Sequence, residues 1–279
     1  MEIREEQTPE RLLLIVSLVT YQPDMPVLCA TLDSLRTAVE KLQKEVGAGE
    51  YVALELVHNG GDLNESAVRI AAGPSISVKV RYSDSNIGFA AGHNLTLNSP
   101  AQFHLVLNPD VLQAPDALVA ALRWMQAHPE AVLLSPEVCD ATGNRSYLCR
   151  RKPGLFVLCL RAFAPMWLQG CFRGALENYE MRDCIDGETV YWDPLLVSGC
   201  YMFFRAPALY SLGGFDSRYF LYFEDYDISM RIAKLGRIAY VPAVKIIHLG
   251  GGAARKGMHH IGLFTRSALR FFRSYGWSV

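Results

Sequence analysis

"FHLVLNPD" occupies residues 103–110. It is a short apolar run that stops abruptly at Asn108, Pro109 and Asp110, the pattern of a buried strand that ends at a polar rim. Runs of the same kind come before it: "LLLIVSLVT" (12–20), "YVALELVH" (51–58) and the alternating "ISVKVRY" (76–82). "AVLLS" (131–135) comes after it as a fifth, short strand. Helical patterns fill the gaps. Leu28, Leu32, Leu35, Val39, Leu42 and Val46 share one helix face, and a second helix is predicted from about Asp116 to His128. "IGFAAGHNLTL" (87–97) reads as helical, with Asn86 as its N-cap. Strands alternating with helices predict an α/β protein whose mixed, mostly parallel sheet is flanked by helices on both faces. In such sheets ligands lie off the carboxyl ends of the strands. Here those ends are Thr20–Tyr21, His58–Asn59 and Asn108–Asp110.

The second half changes character. "VSGCYMFFR" (197–205) reads as a strand, "LGGF" (212–215) as a helix stop with a Gly-Gly turn, and "YDISMRIAKLG" (226–236) as a helix. "RIAYVPAVKIIH" (237–248) returns as extended chain. "KPGLFVLCLRAFAPMWLQGCF" (152–172) is apolar but interrupted by Arg161 and Pro165, too short and broken to cross a bilayer. It fits a buried helix or one resting on a membrane. In "HIGLFTRSALRFFRSYGW" (260–277), Ile261, Phe264, Ala268, Phe271, Phe272 and Tyr275 share a face opposite Arg266, Arg270 and Arg273. That is a basic amphipathic helix, suited to an anionic membrane surface or to packing on the protein's own core.

The 279 residues are 51% hydrophobic with a net charge of −1, which gives no reason to expect nucleic acid as a partner. The distribution is uneven. Residues 228–279 hold nine Lys or Arg and no acid, so a basic C-terminal segment faces something anionic, such as a diphosphate or a lipid headgroup. Seven cysteines, an odd number with no metal-binding spacing, fit a reducing, cytoplasmic compartment. The acidic start before Leu12 lacks the basic region of a secretory signal.

Three segments carry candidate chemistry. Asp110, just past a central strand, suits a divalent cation, since Mg²⁺ and Mn²⁺ share one or two carboxylates with substrate phosphates. A Pro-Asp turn that only starts a loop would look the same. "SNIGFAAGHN" (85–94) has Gly88 and Gly92 among small residues, which allows close backbone approach to a ligand or tight helix packing. It lacks a dinucleotide fingerprint, and the chain has no Walker sequence, which disfavours dehydrogenases and P-loop NTPases. Glu224, Asp225 and Asp227 follow "YFLYF" (219–223) at a helix start. Helix-dipole stabilisation accounts for one or two of them. The aromatic flank adds desolvation, which raises a carboxylate's pKa and makes it a better base. His248, at the end of the 237–248 segment, is either structural or a partner of a metal-bound diphosphate.

Taken in order, "VSLVTYQP" (16–23), "VHNGG" (57–61), "SNIGFAAGHN" (85–94), "LNPDV" (107–111), "SGCYMFFR" (198–205), "LGGFDSRYFLYFEDYDISMRI" (212–232) and "VKIIHLGGGAARK" (244–256) resemble the inverting glycosyltransferases of family 2. Within that family they look most like bacterial rhamnosyltransferases of O-antigen, cell-wall or capsule synthesis. The resemblance covers nearly the whole chain. It implies a single GT-A domain over 1–279, with a nucleotide-sugar half at about 1–135, an acceptor half at about 136–259 and the basic helix at 260–279. It also implies roles. Asp110 matches the last acid of the DxD metal motif, with Asn108 at the first position, where it would contact ribose or diphosphate. His248 matches a second ligand to Mg²⁺ or Mn²⁺. Asp225 matches the catalytic base, and Glu224 beside it an acceptor contact. Thr20, Tyr21, Asn59, Asn86, Gly88 and Asn94 match the nucleotide-sugar cradle. His58 stands where the family usually has an acid against the nucleobase, so it would hydrogen-bond a pyrimidine edge instead. Arg255 and Lys256 would add positive charge near the diphosphate.

The expected reaction is transfer of a sugar, L-rhamnose from dTDP-L-rhamnose as the first expectation, to a hydroxyl of a lipid-linked or polysaccharide acceptor at the inner membrane surface. A UDP-hexose or UDP-N-acetylhexosamine donor is the alternative within enzymes. A non-catalytic sugar-nucleotide or lipid binder is the alternative outside them.

Overall fold

The structure, a computed structural model, describes residues 11–46, 50–97, 100–250 and 257–277. One large sheet draws strands from both halves of the chain. β1 (Arg11–Thr20), β2 (Glu50–His58), β3 (Ile76–Tyr82) and β4 (Phe103–Leu107) are parallel. The sheet continues through β10 (Tyr201–Arg205), antiparallel to both its neighbours, to β6 (Ala131–Cys139) and β11 (Arg237–His248), which are parallel to each other. β5 (Val111–Gln113) and β8 (Tyr191–Trp192) add antiparallel edges to β11. The order is β3-β2-β1-β4-β10-β6-β11-β5, and a separate ribbon pairs β7 (Cys149–Arg150) with β9 (Leu196–Val197).

The sequence pattern explains this layout. Leu13 to Val16 and Leu18 of β1 are all buried, as an unbroken apolar strand covered on both faces must be. α1 (Met25–Val46) lays Leu28, Leu32, Leu35, Val39 and Leu42 into the same core as Leu14, Val16 and Leu18. α2 (Glu65–Ala72) and α4 (Ala117–Ala127) complete that layer. β6 runs four residues beyond the predicted 131–135, through Pro136. The β6–β11 register breaks after Val241, the residue opposite Pro136, where proline offers no N–H to the ladder. α3 (Gly88–Asn94) stops before the predicted Leu97.

The two apolar segments left open by the sequence part ways. α10 (Gly257–Tyr275) buries Ala268, Phe271 and Phe272 against Tyr219, Phe223 and Leu158, so its aromatic face belongs to the fold. Ile261, 43% exposed, falls outside that face. The 152–172 segment splits into α5 (Leu155–Phe163), which buries Leu158 and Leu160, and α6 (Met166–Cys171), whose Met166 and Trp167 are 88% and 71% exposed. Among the described residues, no helix is long and apolar enough to cross a membrane.

A buried polar network braces β1, α3 and β4. His93 Nδ1 lies 2.6 Å from Ser17 Oγ, Thr96 Oγ1 lies 2.9 Å from the same oxygen, and His104 Nδ1 lies 3.3 Å from Tyr210 Oη. Burial pushes His93 well below the usual histidine range and His104 down to about 3, so both rings are neutral in the folded protein. Unfolded histidines bind protons below about pH 6.5. The unfolded state therefore gains protons first. Stability is fully present above that pH and is lost as pH falls toward the folded values. His104 alone should cost about 2 kcal/mol between pH 7 and pH 5. Urea midpoints at the two pH values test this. His104→Gln should flatten the loss, and an unchanged slope would refute the assignment.

Candidate active site

The carboxyl ends of β1, β2 and β4 form one rim. At β1, the Thr20 hydroxyl donates to His58 Nδ1 at 2.9 Å. His58 Nε2 then donates to the Gly61 carbonyl at 2.9 Å. The carbonyl can only accept, which fixes the proton on Nε2 and leaves Nδ1 as acceptor. His58 is buried with both nitrogens in use. The expected hydrogen bond from His58 to a pyrimidine edge is therefore not available, and the ring instead braces Thr20 and the 59–61 turn. Tyr21 is 53% exposed beside Gly60, open to a ligand. Asn59 is buried. Its amide nitrogen donates to the Gly88 carbonyl at 3.1 Å, and its Oδ1 is buried without a partner.

The 86–89 turn connects this rim to the acidic segment. Asn86 Oδ1 accepts from the Gly88 N–H at 3.0 Å, so Asn86 orders the turn one residue ahead of the helix cap at Ile87. Gly88 has φ +84°, and an added Cβ would stand 2.3 Å from the Phe220 carbonyl oxygen, so only glycine fits. The Phe89 N–H donates to that same oxygen at 2.9 Å. Asn94 is placed differently from the expectation. Its amide exchanges two hydrogen bonds with the Phe215 backbone, at 2.7 and 2.8 Å, which locks the turn after Gly214 and commits the side chain to the fold.

Asp110 and His248 come together as expected. His248 Nε2 lies 3.2 Å from Asp110 Oδ1, yet that oxygen is buried and has no hydrogen-bond partner. Gly250 closes the far side, since a Cβ there would stand 1.9 Å from Asp110 Oδ2. An unpartnered carboxylate oxygen facing an imidazole nitrogen suits Mg²⁺ or Mn²⁺, with phosphate oxygens and water completing the shell. Among the described residues there is no cluster of three or more His, Cys, Asp and Glu side chains able to hold a metal. The Asn108 N–H donates to the Cys200 carbonyl at 2.9 Å, beside this pair. Arg255 and Lys256 lie outside the described residues.

The acids open α9 (Glu224–Ile232). Tyr222 and Phe223 just before it have φ of +70° and +66°. Bulky residues there cost about 1–3 kcal/mol each and persist only where surroundings enforce them. α10 does so: Ser267 Oγ donates to the Leu221 carbonyl at 2.9 Å, Tyr222 Oη meets His260 Nδ1 at 2.9 Å, and Phe223 packs on Phe264 and Phe271. Asp225 accepts from the Gly199 N–H at 3.0 Å and from the Tyr226 N–H at 2.9 Å. Burial pushes its carboxyl up to about 6, against the pull of those N–H groups. Burial and then the Asp225 charge hold Glu224 well above its ordinary range, and Glu224 Oε2 is buried without a partner. Burial thus works against the charged form of both carboxyls, and the charge of Asp225 works further against that of Glu224. Asp227, the third acid, pairs with Arg231 at 2.7 Å and accepts from Tyr275 Oη, a structural role.

Two further positions belong to the site. Gly199 approaches Asp225 so closely that an added Cβ would lie 3.3 Å from its Cβ. An isolated glycine inside the predicted 197–205 strand, which marks a close backbone approach, was the available signal. Arg150 is buried and its charge acts on Asp225, with its guanidinium 5.5 Å from the Tyr179 ring centroid. In sequence it sits in a basic run that reads as a solvated surface, so nothing marked it.

A mixed, mostly parallel sheet flanked by helices, with polar groups gathered at its strand ends, is the architecture of the GT-A glycosyltransferases, and the chain is a glycosyltransferase with that fold. It superposes on the mannosyltransferase PcManGT from Pyrobaculum calidifontis, solved in complex with GDP-Man and Mn²⁺, with a TM-score of 0.58 at 20% identity over 95% of this chain and 67% of that one. In sequence it is similar to rhamnosyltransferases. It is 27% identical to N-acetylglucosaminyl-diphospho-decaprenol L-rhamnosyltransferase of Mycobacterium tuberculosis over 95% of this chain and 86% of the relative. It is 26% identical to rhamnosyltransferase WbbL of Escherichia coli over 52% of this chain and 51% of that protein. No protein-family model matches the chain.

Proposed function

We propose that the protein transfers L-rhamnose from dTDP-L-rhamnose, with inversion, to a sugar hydroxyl on a lipid-linked acceptor at the inner membrane surface, assisted by Mg²⁺ or Mn²⁺. One observation carries the chemistry. Gly199 and Cys200 are consecutive, and the first holds Asp225 while the second holds the Asn108 backbone two residues from Asp110. A base and a metal corner tied to one peptide suit a reaction in which a proton leaves one partner as a diphosphate leaves the other. The sequence relatives support rhamnose and a diphospho-polyprenol acceptor, and the metal in the mannosyltransferase complex supports a divalent cation.

Thr20, Tyr21, Asn59 and Asn108 would line the donor nucleotide, with His58 fixing Thr20. Glu224 would contact the acceptor sugar and orient it. Asp225 would take the proton of the attacking hydroxyl. A single displacement through an oxocarbenium-like transition state then inverts the anomeric carbon. A divalent cation held by Asp110 and His248 would supply charge neutralisation for the departing diphosphate. Asn94 stays a positioning residue for the 214–215 turn.

The donor assignment is tested by thermal shift with a panel of nucleotide sugars plus Mn²⁺. A ligand at a hundred times its Kd stabilises by about 2.7 kcal/mol, a shift of several degrees. dTDP-L-rhamnose should give the largest rise. A larger rise with a UDP-hexose or UDP-N-acetylhexosamine would reassign the donor. Donor binding without any donor hydrolysis would point to a non-catalytic binder.

A further inference from the structure

We propose that a groove on the outer face of α10 is a second anion site, separate from the Asp110–His248 corner, that holds the diphosphate of the membrane-anchored acceptor. The groove has a volume of about 700 Å³ and is lined by Arg218, Arg266, Arg270, Arg273, Thr265 and Ser274. The inference rests on the reading that the acceptor is lipid-linked.

Arg266, Arg270 and Arg273 stand four and three residues apart, one stripe of a helix that contains no acidic residue. Like charges at that spacing repel. Among the described residues, no carboxylate forms an ion pair with any of the three, although Arg218 across the groove pairs with Asp216. Arg270 is the most revealing. Its guanidinium lies 5.8 Å from the Tyr219 ring centroid, and its Nε is buried without a hydrogen-bond partner. The groove brings the side chains of Arg266, Arg270 and Arg273 together, and guanidinium groups bind phosphate oxygens two at a time. Thr265 and Ser274 add hydroxyl donors at the rim.

Location favours an acceptor over a soluble anion. Tyr219, beneath Arg270, begins the "YFLYF" segment that leads into Glu224 and Asp225, and the opposite face of α10 holds that segment in place. The apolar surroundings favour a lipid-borne diphosphate. Leu269, 40% exposed, lines the groove itself. α5, which shares a buried cluster with Phe271 and Phe272, leads into the exposed Met166 and Trp167 of α6. Apolar side chains beside basic ones are the composition of a surface that meets a bilayer at headgroup depth.

Flotation of the full-length protein tests the site with three vesicle types: phosphatidylcholine alone, phosphatidylcholine carrying a small fraction of polyprenyl diphosphate, and phosphatidylcholine with phosphatidylglycerol matched in charge. The diphosphate vesicles should bind best. Arg266→Gln with Arg273→Gln, both at exposed positions, should weaken that binding by about tenfold or more, and Arg218→Gln should weaken it independently from another element. Donor-induced thermal shift and donor hydrolysis should be unchanged in all of these variants, which separates this proposal from the donor reading. Equal binding to the two anionic vesicle types would reduce the groove to general electrostatic attraction and overturn the proposal. So would full binding by the arginine variants, or protection of the groove by free inorganic pyrophosphate with no binding to diphosphate vesicles.

Discussion

Asp225→Asn should lower turnover by about 10²-fold or more while the protein still folds and still binds donor. The side chain is held by two backbone N–H groups, of Gly199 and Tyr226. Asparagine keeps the shape and one good acceptor, so the helix start should survive. What it loses is the ability to take a proton. A carboxylate pushed up to about 6 by burial is a stronger base than a solvated aspartate and is still ionised at neutral pH. The pH dependence follows with a definite sign. Above about pH 6 Asp225 is charged and competent. As pH falls through that value it is protonated, and kcat/KM should fall with it. Glu224→Gln should behave differently, because Glu224 is proposed to orient the acceptor rather than to take its proton, and burial already disfavours its charged form. It should raise the acceptor KM more than it lowers kcat. If Asp225→Asn instead abolishes donor binding while turnover at saturation survives, Asp225 is a binding residue and the reaction needs another base.

The sheet was legible because its strands announce their ends. "LLLIVSLVT", "YVALELVH" and "FHLVLN" each stop at polar groups, and those groups form the rim. The pairing of Asp110 with His248 and the desolvation of Asp225 were legible for a related reason, since each depends on residue type at a strand or helix end. Two residues whose partners the sequence hid share another cause. His58 and Asn94 have side chains that could serve a ligand or the protein, and their partners, Gly61 and Phe215, are set by backbone turns that composition does not reveal. The left-handed Tyr222 and Phe223 were invisible because neither is a residue that favours that conformation. α10 posed a different problem. An amphipathic helix with aromatics on one side has the same periodicity whether a bilayer or a core covers that side. The position of Phe223 decides it, by burying Phe271 beneath the segment that leads into α9. The arginine face then remains outside.

Asp110→Ala should abolish the dependence of donor binding on Mn²⁺ and leave the unliganded fold intact. Little of the fold rests on this side chain. It is 30% exposed, its Oδ1 has no hydrogen-bond partner, and the bond that secures the turn runs from the Leu249 N–H to the Asp110 backbone carbonyl, which alanine retains. The unliganded Tm should therefore move by no more than about 2 °C, the scale of a surface substitution. Donor binding should change far more. If Asp110 and His248 hold the cation as proposed, loss of the carboxylate would leave His248 to hold a hard cation that prefers oxygen. Direct titration of Mn²⁺ in the presence of dTDP measures this without relying on turnover. Gly250→Ala provides an independent check from the other side of the carboxylate. Its methyl group would stand 1.9 Å from Oδ2, so Asp110 must turn away and the Mn²⁺ response should weaken although both ligands are still present. Unchanged Mn²⁺ binding in Asp110→Ala would place the metal elsewhere, and unchanged binding in Gly250→Ala would mean that the carboxylate does not need its present orientation to hold it.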